Sequence, residues 1–217
     1  MAEVSGTEGY AREAGELIGR YERISAAEAH QSVLHLIPNA PSRIVDIGAG
    51  TGRDAAWFAT NGHRVVAVEP TDELRMAAQR LHPSPGIEWL NDGLPDLSLL
   101  LSRGEKFDLV MLTAVFMHLD EGQRRRAMPN LAALMQEDGV MIMSLRHGPV
   151  PAGRRMFAVS AGETIELAQA HALRPVLNFP SDSSEEINRL AGVTWTRLAF
   201  VKRARASRGG SIALDSA

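Results

Sequence analysis

The run Ile44-Val45-Asp46-Ile47-Gly48-Ala49-Gly50-Thr51-Gly52-Arg53-Asp54 constrains this chain more than any other. A short apolar strand leads into three glycines at alternate positions, and a helix follows. Glycine takes φ > 0 without steric penalty and leaves no Cβ in the way of a ligand. The helix presents unpaired N–H groups at its first turn. That combination suits a nucleotide-like ligand lying against the strand's carboxyl end, where open α/β sheets bind theirs.

The flanks extend the strand–helix alternation. Ile44–Ile47, Arg64–Val68, Ile87–Leu90, Phe107–Thr113 and Val140–Leu145 read as five strands. Thr71 caps a helix with Asp72 and Glu73 in its first turn, where the dipole favours acids. Asp120-Glu121-Gly122-Gln123 opens another, with Ala127, Leu131, Leu134 and Met135 facing in. Pro129 is expected to kink that helix or delay its start. Asp138-Gly139 reads as a turn. Continuous apolar strands alternating with helices predict a mainly parallel α/β sheet covered on both faces. Beyond a Gly/Pro-rich loop at 148–153, the pattern predicts a helix over Glu163–His171. Two strands follow, Leu173–Phe179 and Val193–Val201, joined by a polar segment at 181–192.

Upstream, Ala14, Leu17, Ile18 and Tyr21 recur at helical spacing. Ser25-Ala26-Ala27-Glu28 is a capping box opening a second helix, with His30, Val33, Leu34 and Ile37 on its apolar face and Pro38 as its stop. Residues 1–9 are expected to fray. The expected division is an N-terminal helical cap or lid over 1–42, a core over 43–201, and a disordered basic tail over 202–217.

The 217 residues suffice for one domain with a real core. A net charge of −3 gives no field that favours nucleic acid. The absence of cysteine removes disulfides, thiolate metal sites and a Cys nucleophile together. The seven histidines are scattered without metal-ligand spacing, so no metal is expected. The polar start lacks a signal-peptide core, and no apolar run approaches the ~20 residues that span a membrane. These features predict a cytoplasmic protein without a membrane or nucleic-acid partner, its oligomeric state open.

The glycines run G-x-G-x-G, not the dinucleotide spacing G-x-G-x-x-G. Three anchors surround them. Asp46 ends the first strand. Glu69, followed by Pro70, ends the second and can accept hydrogen bonds from both hydroxyls of a ribose. Asn91-Asp92-Gly93 ends the third and can pair with an adenine edge. In motif order, Val45–Gly52, Val68-Glu69-Pro70, Asn91-Asp92-Gly93, Phe107-Asp108-Leu109-Val110 and Asp138-Gly139-Val140, the chain resembles the class I S-adenosylmethionine-dependent methyltransferases. Val115-Phe116-Met117-His118-Leu119 after the fourth strand resembles their small-molecule subtype. Thr113-Ala114-Val115-Phe116 stands where enzymes acting on DNA or glutamine nitrogens carry Asn/Asp-Pro-Pro-Tyr, which argues against those acceptors.

The resemblance implies a Rossmann-like, seven-stranded sheet of order 3-2-1-4-5-7-6 with the last strand antiparallel. It implies S-adenosyl-L-methionine as cofactor and a small molecule as acceptor at oxygen or nitrogen. The residues it would place on the cofactor are Asp46, Gly48, Ala49, Gly50, Gly52, Glu69, Pro70, Asn91, Asp92, Gly93 and Thr113. Of these, Asp46 and Gly48 would lie by the methionine moiety, Glu69 on the ribose and Asp92 on the adenine. Two alternatives stay open: a protein that binds the donor without turnover, and an NAD(P)-dependent oxidoreductase.

Methyl transfer from a sulfonium is an in-line displacement of an already activated group, so positioning dominates and a general base is optional. His118 is the candidate to orient or deprotonate the acceptor; its other reading is a capping or solvent histidine. Arg146 and His147 could meet an anionic acceptor, or pair with local acids. His30 is a candidate for acceptor contact, or a hydrogen-bonded core residue. Tyr10 could close over the site from a lid, and Tyr21 reads as packing. Arg124-Arg125-Arg126 reads as a solvated helix face.

Overall fold

Short β-branched and apolar segments in this chain cannot bury both faces alone, and they assemble edge to edge. The computed structural model describes residues 6–183 and 185–203. Its strands are β1 (Arg43–Ile47), β2 (Arg64–Val68), β3 (Ile87–Leu90), β4 (Phe107–Thr113), β5 (Met135–His147), β6 (Leu173–Asp182) and β7 (Thr194–Lys202). They form one seven-stranded sheet in the order β3-β2-β1-β4-β5-β7-β6. The first five strands pair in parallel, whereas β7 runs antiparallel to both β5 and β6. The order reverses between β1 and β4, so a crevice opens at the carboxyl ends of those two strands.

The helices are α1 (Tyr10–Tyr21), α2 (Ala26–Ala29), α3 (Arg53–Thr60), α4 (Asp72–Leu81), α5 (Ser98–Ser102), α6 (Glu121–Leu134), α7 (Ala161–Gln169) and α8 (Glu186–Leu190). Ala55 and Phe58 of α3, with Val33 from a 3₁₀ turn at Gln31–Leu36 and Ile37 just after it, bury one face of the sheet against Ile44, Ala67, Met111 and Ile142. Ala127 and Leu131 of α6 and Ala168 of α7 cover the other face, against Val45, Val66, Leu112 and Met143.

Several expectations need correction. The capping box at Ser25 forms, but the helix it opens lasts only Ala26–Ala29 and tightens into the 3₁₀ turn. Leu34 is left at the surface. Pro129 neither delays nor ends α6, which starts at Glu121 behind the Asp120–Gln123 capping box. Asp138-Gly139 is not a turn before β5 but an irregularity within it: the register jumps from Phe107↔Met135 to Leu109↔Val140. A Cβ on Gly139 would lie 2.9 Å from the Gln136 carbonyl oxygen, so only glycine fits. Helices α5 and α8 were not anticipated, and β6 runs on through Ser181 and Asp182.

Residues 6–9 pack rather than fray; a Cβ on Gly6 would touch the His118 Cβ at 2.9 Å. Lys202 belongs to β7, its Nζ donating to the carbonyls of Ala132 and Met135. The rest of the expected tail, from 204, and residues 1–5 lie outside the described residues. Arg124 is not solvated: it is 4 % exposed, paired with Glu163 at 2.8 Å and donating to the Leu119 carbonyl at 2.6 Å.

Asp120→Ala should lower unfolding free energy by about 1 kcal/mol, with Asp120→Asn recovering most of it. Urea midpoints at unchanged slope will read this.

Candidate cofactor and acceptor site

The glycine turn begins where β1 ends. Gly48, at φ 73°, passes so close to Val115 that a Cβ would sit 2.5 Å from its Cγ2. Gly52, at φ 82°, would drive a Cβ to 2.7 Å from Trp89. Those two glycines therefore serve the turn and its packing. Gly50 has no heavy atom nearer than 4.0 Å to its absent Cβ and keeps the backbone open to the crevice.

Above this turn lies a cavity of ≈ 640 Å³. Asp46, Gly48, Ala49, Gly50, Glu69, Pro70, Gly93 and Thr113 line it. The Asp46 side chain is buried, and its Oδ2 has no hydrogen-bond partner among the described residues. Burial raises its pKa well above the ordinary carboxylate value; Asp54 and Glu69 push the same way and Arg53 opposes. A buried, unpartnered carboxylate oxygen at a cavity wall asks for a cationic or donor group from a ligand. Glu69 accepts the Gly50 N–H at 2.8 Å through Oε2 and the Thr71 N–H at 2.8 Å through Oε1. Its pKa is raised by burial, against those two bonds. Thr71 adds a side-chain hydrogen bond to the same carboxylate, which still has acceptor capacity left for a ligand hydroxyl. The Thr71 hydroxyl makes no capping bond to α4.

Asp54, at the start of α3, gathers three donors. It accepts from His30 Nε2 at 2.8 Å, Arg53 Nε at 2.8 Å and the Thr113 hydroxyl at 3.2 Å. Burial opposes its charge, but His30 and Arg53 outweigh that and hold its carboxyl far below the ordinary range.

On the other side, β4 is followed at once by Ala114, a non-glycine residue at φ 60° whose N–H donates to the Ser144 hydroxyl at 2.9 Å. This kink carries the chain into a 3₁₀ turn at Phe116–His118. His118 Nδ1 lies 2.9 Å from the Arg155 carbonyl, which only accepts, so Nδ1 carries the proton. Nε2 is then the acceptor from the Tyr10 hydroxyl at 3.0 Å. Burial pushes the His118 pKa below its ordinary 6.5, partly offset by the Arg155 carbonyl. Tyr10 is also covered by the Arg154 guanidinium, 4.1 Å above its ring. Its pKa is raised, chiefly by burial.

Residues 44–139 match the family model described as "methyltransferase domain". Over those residues the chain carries a methyltransferase domain. An uncharacterised methyltransferase of Mycobacterium tuberculosis is 27% identical over 132 residues, covering 58% of this chain and 48% of that protein. The chain thus spans about half the length of the curated relatives it matches. The structure of 1,6-didemethyltoxoflavin-N1-methyltransferase from Burkholderia thailandensis, with 1,6-didemethyltoxoflavin and S-adenosylhomocysteine bound, superposes with a TM-score of 0.68 at 22% identity, covering 90% of this chain and 86% of that one. A TehB-like methyltransferase from Corynebacterium glutamicum gives 0.64 at 20% identity, covering 88% and 99%.

Not every anticipated residue reaches the methyltransferase cavity. Tyr10, His118 and Arg146 line it. His30 is fully buried behind the wall and engaged by Asp54, so it is a support of the site and not a contact surface. His147 turns to the Thr196 hydroxyl at 2.9 Å. Gly52 and Asn91 are not in the wall. Asp92 is turned onto the N–H groups of Gly93 and Leu100, both at 2.9 Å, because α5 needs an N-terminal acceptor. Tyr21, read as packing, lines the cavity, as do Arg20, Arg154, Trp195 and Arg197, which the sequence reading passed over. Arg197 had a signal: one charge immediately before the apolar run Leu198-Ala199-Phe200 of β7.

Asp54→Asn should cost about 3 kcal/mol at pH 7, since it strips a buried charge from His30 and Arg53. A depressed carboxylate stabilises above its unfolded pKa of about 3.9 and loses that contribution as pH falls towards the folded value. The gap between the two urea unfolding free energies should therefore begin to narrow only below about pH 4 and keep narrowing as pH falls further.

Proposed function

We propose that this chain transfers a methyl group from S-adenosylmethionine to an oxygen or nitrogen of a small-molecule acceptor. One observation carries the reading: Asp46 and Glu69, two buried carboxylates on adjacent strand ends, face a single cavity over the open backbone at Gly50. The residues fit the cofactor. The unpartnered Asp46 oxygen suits its ammonium group, and Glu69 suits the ribose hydroxyls. When bound, the cofactor supplies an electrophilic methyl on a sulfonium.

The chain's own work is to position and to move a proton. The α1–α2 segment forms the lid on this reading, because Tyr10, Leu17 and Tyr21 of α1 roof the cavity. The Tyr10 hydroxyl accepts the acceptor's proton while passing its own to His118 Nε2, and the Arg155 carbonyl holds the imidazole in the required tautomer. Burial keeps His118 neutral at pH 7, so its lone pair is available. A raised Tyr10 pKa keeps the phenol from resting as phenolate, which makes it a relay and not a store of charge. The didemethyltoxoflavin enzyme, which carries a small-molecule acceptor, supports the substrate class by analogy of fold.

Titration calorimetry with S-adenosylmethionine and with NADH tests the donor. We expect micromolar binding of the former only, weakened at least tenfold by Glu69→Ala; tight NADH binding alone overturns the reading. For an acceptor that must lose a proton, His118→Ala and Tyr10→Phe should each lower kcat about 10²-fold or more. The acid limb of the wild-type pH–rate profile should lie below 6.5, because the depressed base is protonated only there. Unchanged turnover in both variants removes the relay.

A further inference from the structure

The far end of the cavity, over β5, β7 and β6, carries chemistry that the cofactor does not use. Antiparallel pairing sets Ser144 opposite Arg197 and Arg146 opposite Trp195, and sets Phe179 opposite Arg197 on β7's other side. Directly opposed residues share a face, so these five side chains stand on one surface of the sheet, and all line the cavity. It is the face of Asp46, since Ile44 and Ile142 pack in the same cluster two residues before Asp46 and Ser144.

Two of the five are cations with no carboxylate in contact, although the charge of Asp54 is felt at Arg197. Among the described residues neither Arg146 nor Arg197 has an acid within ion-pair distance. Arg146 Nη1 donates to the Pro149 carbonyl at 2.8 Å, and Arg197 Nη2 to the Ala29 carbonyl at 2.6 Å. The other arginines here are neutralised: Arg20 pairs with Glu185, and Arg154 with Glu13. Burial depresses both Arg146 and Arg197, and Arg20 adds to the effect on Arg146. Like charges partly withdrawn from water, with donors left over, favour an anion between them.

Resting on the methyltransferase reading, we propose that the acceptor is a carboxylic acid, its carboxylate held by Arg146 and Arg197 and its apolar body lying along Trp195 and Phe179. Strand spacing separates this platform from the donor. Arg146 is two strands from β1 and Arg197 three, roughly 10 and 14 Å. Asp46 and Glu69 anchor the donor at β1 and β2, so the arginines are placed for the second substrate. Guanidinium forks match a planar carboxylate bidentately, and the aromatic neighbours favour an acid with a flat or apolar body.

The test measures binding, not turnover. The full chain is titrated, with and without saturating S-adenosylhomocysteine, with benzoate, 4-hydroxybenzoate, indole-3-acetate and hexanoate, each against its carboxamide, and with inorganic phosphate. We expect at least one acid to bind about tenfold or more tightly than its amide. Arg146→Gln should bring that ratio to within about twofold while Arg146→Lys keeps part of it, and S-adenosylhomocysteine affinity should not change. Equal binding of every acid and amide overturns the proposal. So does an acid preference that survives Arg146→Gln, a loss of S-adenosylhomocysteine affinity in that variant, or tighter binding of phosphate than of any acid. Failure of the wild type to bind S-adenosylhomocysteine sinks the methyltransferase reading instead, and the acid-to-amide ratio of the free chain is still read.

Discussion

The carboxylate of Asp54 is the junction on which the site depends. It takes donors from three parts of the chain: His30 below the N-terminal helices, Arg53 beside it, and Thr113 at the end of β4. Arg53 in turn donates to the carbonyls of Tyr21 and, at 3.5 Å, Ile24. One buried anion thus ties the helical cap, the glycine turn and the switch-point strand together. Losing one arm would leave charge in a low-dielectric setting, so the arrangement resists partial disassembly.

The sheet was legible because its strands are buried on both faces and therefore read as continuous apolar runs. β2, β3 and β4 fall where the sequence places them, and the 3-2-1-4-5-7-6 order is the one the family resemblance implies. Short helices without a long apolar period were not legible. In α5 Asp92 accepts the Leu100 N–H, a contact of a residue that sequence alone reads as a ligand anchor. Pro129 was misjudged because α6 is held by a capping box at one end and by core packing along its length, and that packing tolerates one lost hydrogen bond.

The site was legible where backbone geometry dictates the residue type, as at the glycines, and less so where a side chain is placed by distant pairing. His30 reads as apolar-face or functional from its position; only the fold brings Asp54, 24 residues on, to its Nε2. Tyr10 and His118 are 108 residues apart, and no local pattern joins them. The arginine platform is the same case. Arg146 and Arg197 are neighbours because β7 enters the sheet antiparallel beside β5, a pairing that gives no sequence-local sign.

Asp46 and Glu69 stand at the β1–β2 end of the cavity, and Arg146 and Arg197 at the β5–β7 end. On the methyl-transfer reading this division has a kinetic consequence. The donor brings a positive sulfonium, and an acceptor oxygen losing its proton becomes partly negative. Transfer of the methyl cancels both charges, so the transition state carries less separated charge than the reactants. A water-poor cavity favours that cancellation more than bulk water does, since Coulomb attraction grows as the effective dielectric falls. The roof supplied by Tyr10, Leu17 and Tyr21 is then part of the chemistry as well as a cover. On the proposed relay, Tyr10 is where cover of the cavity and departure of the proton meet: its hydroxyl touches His118 and its ring lies under Arg154.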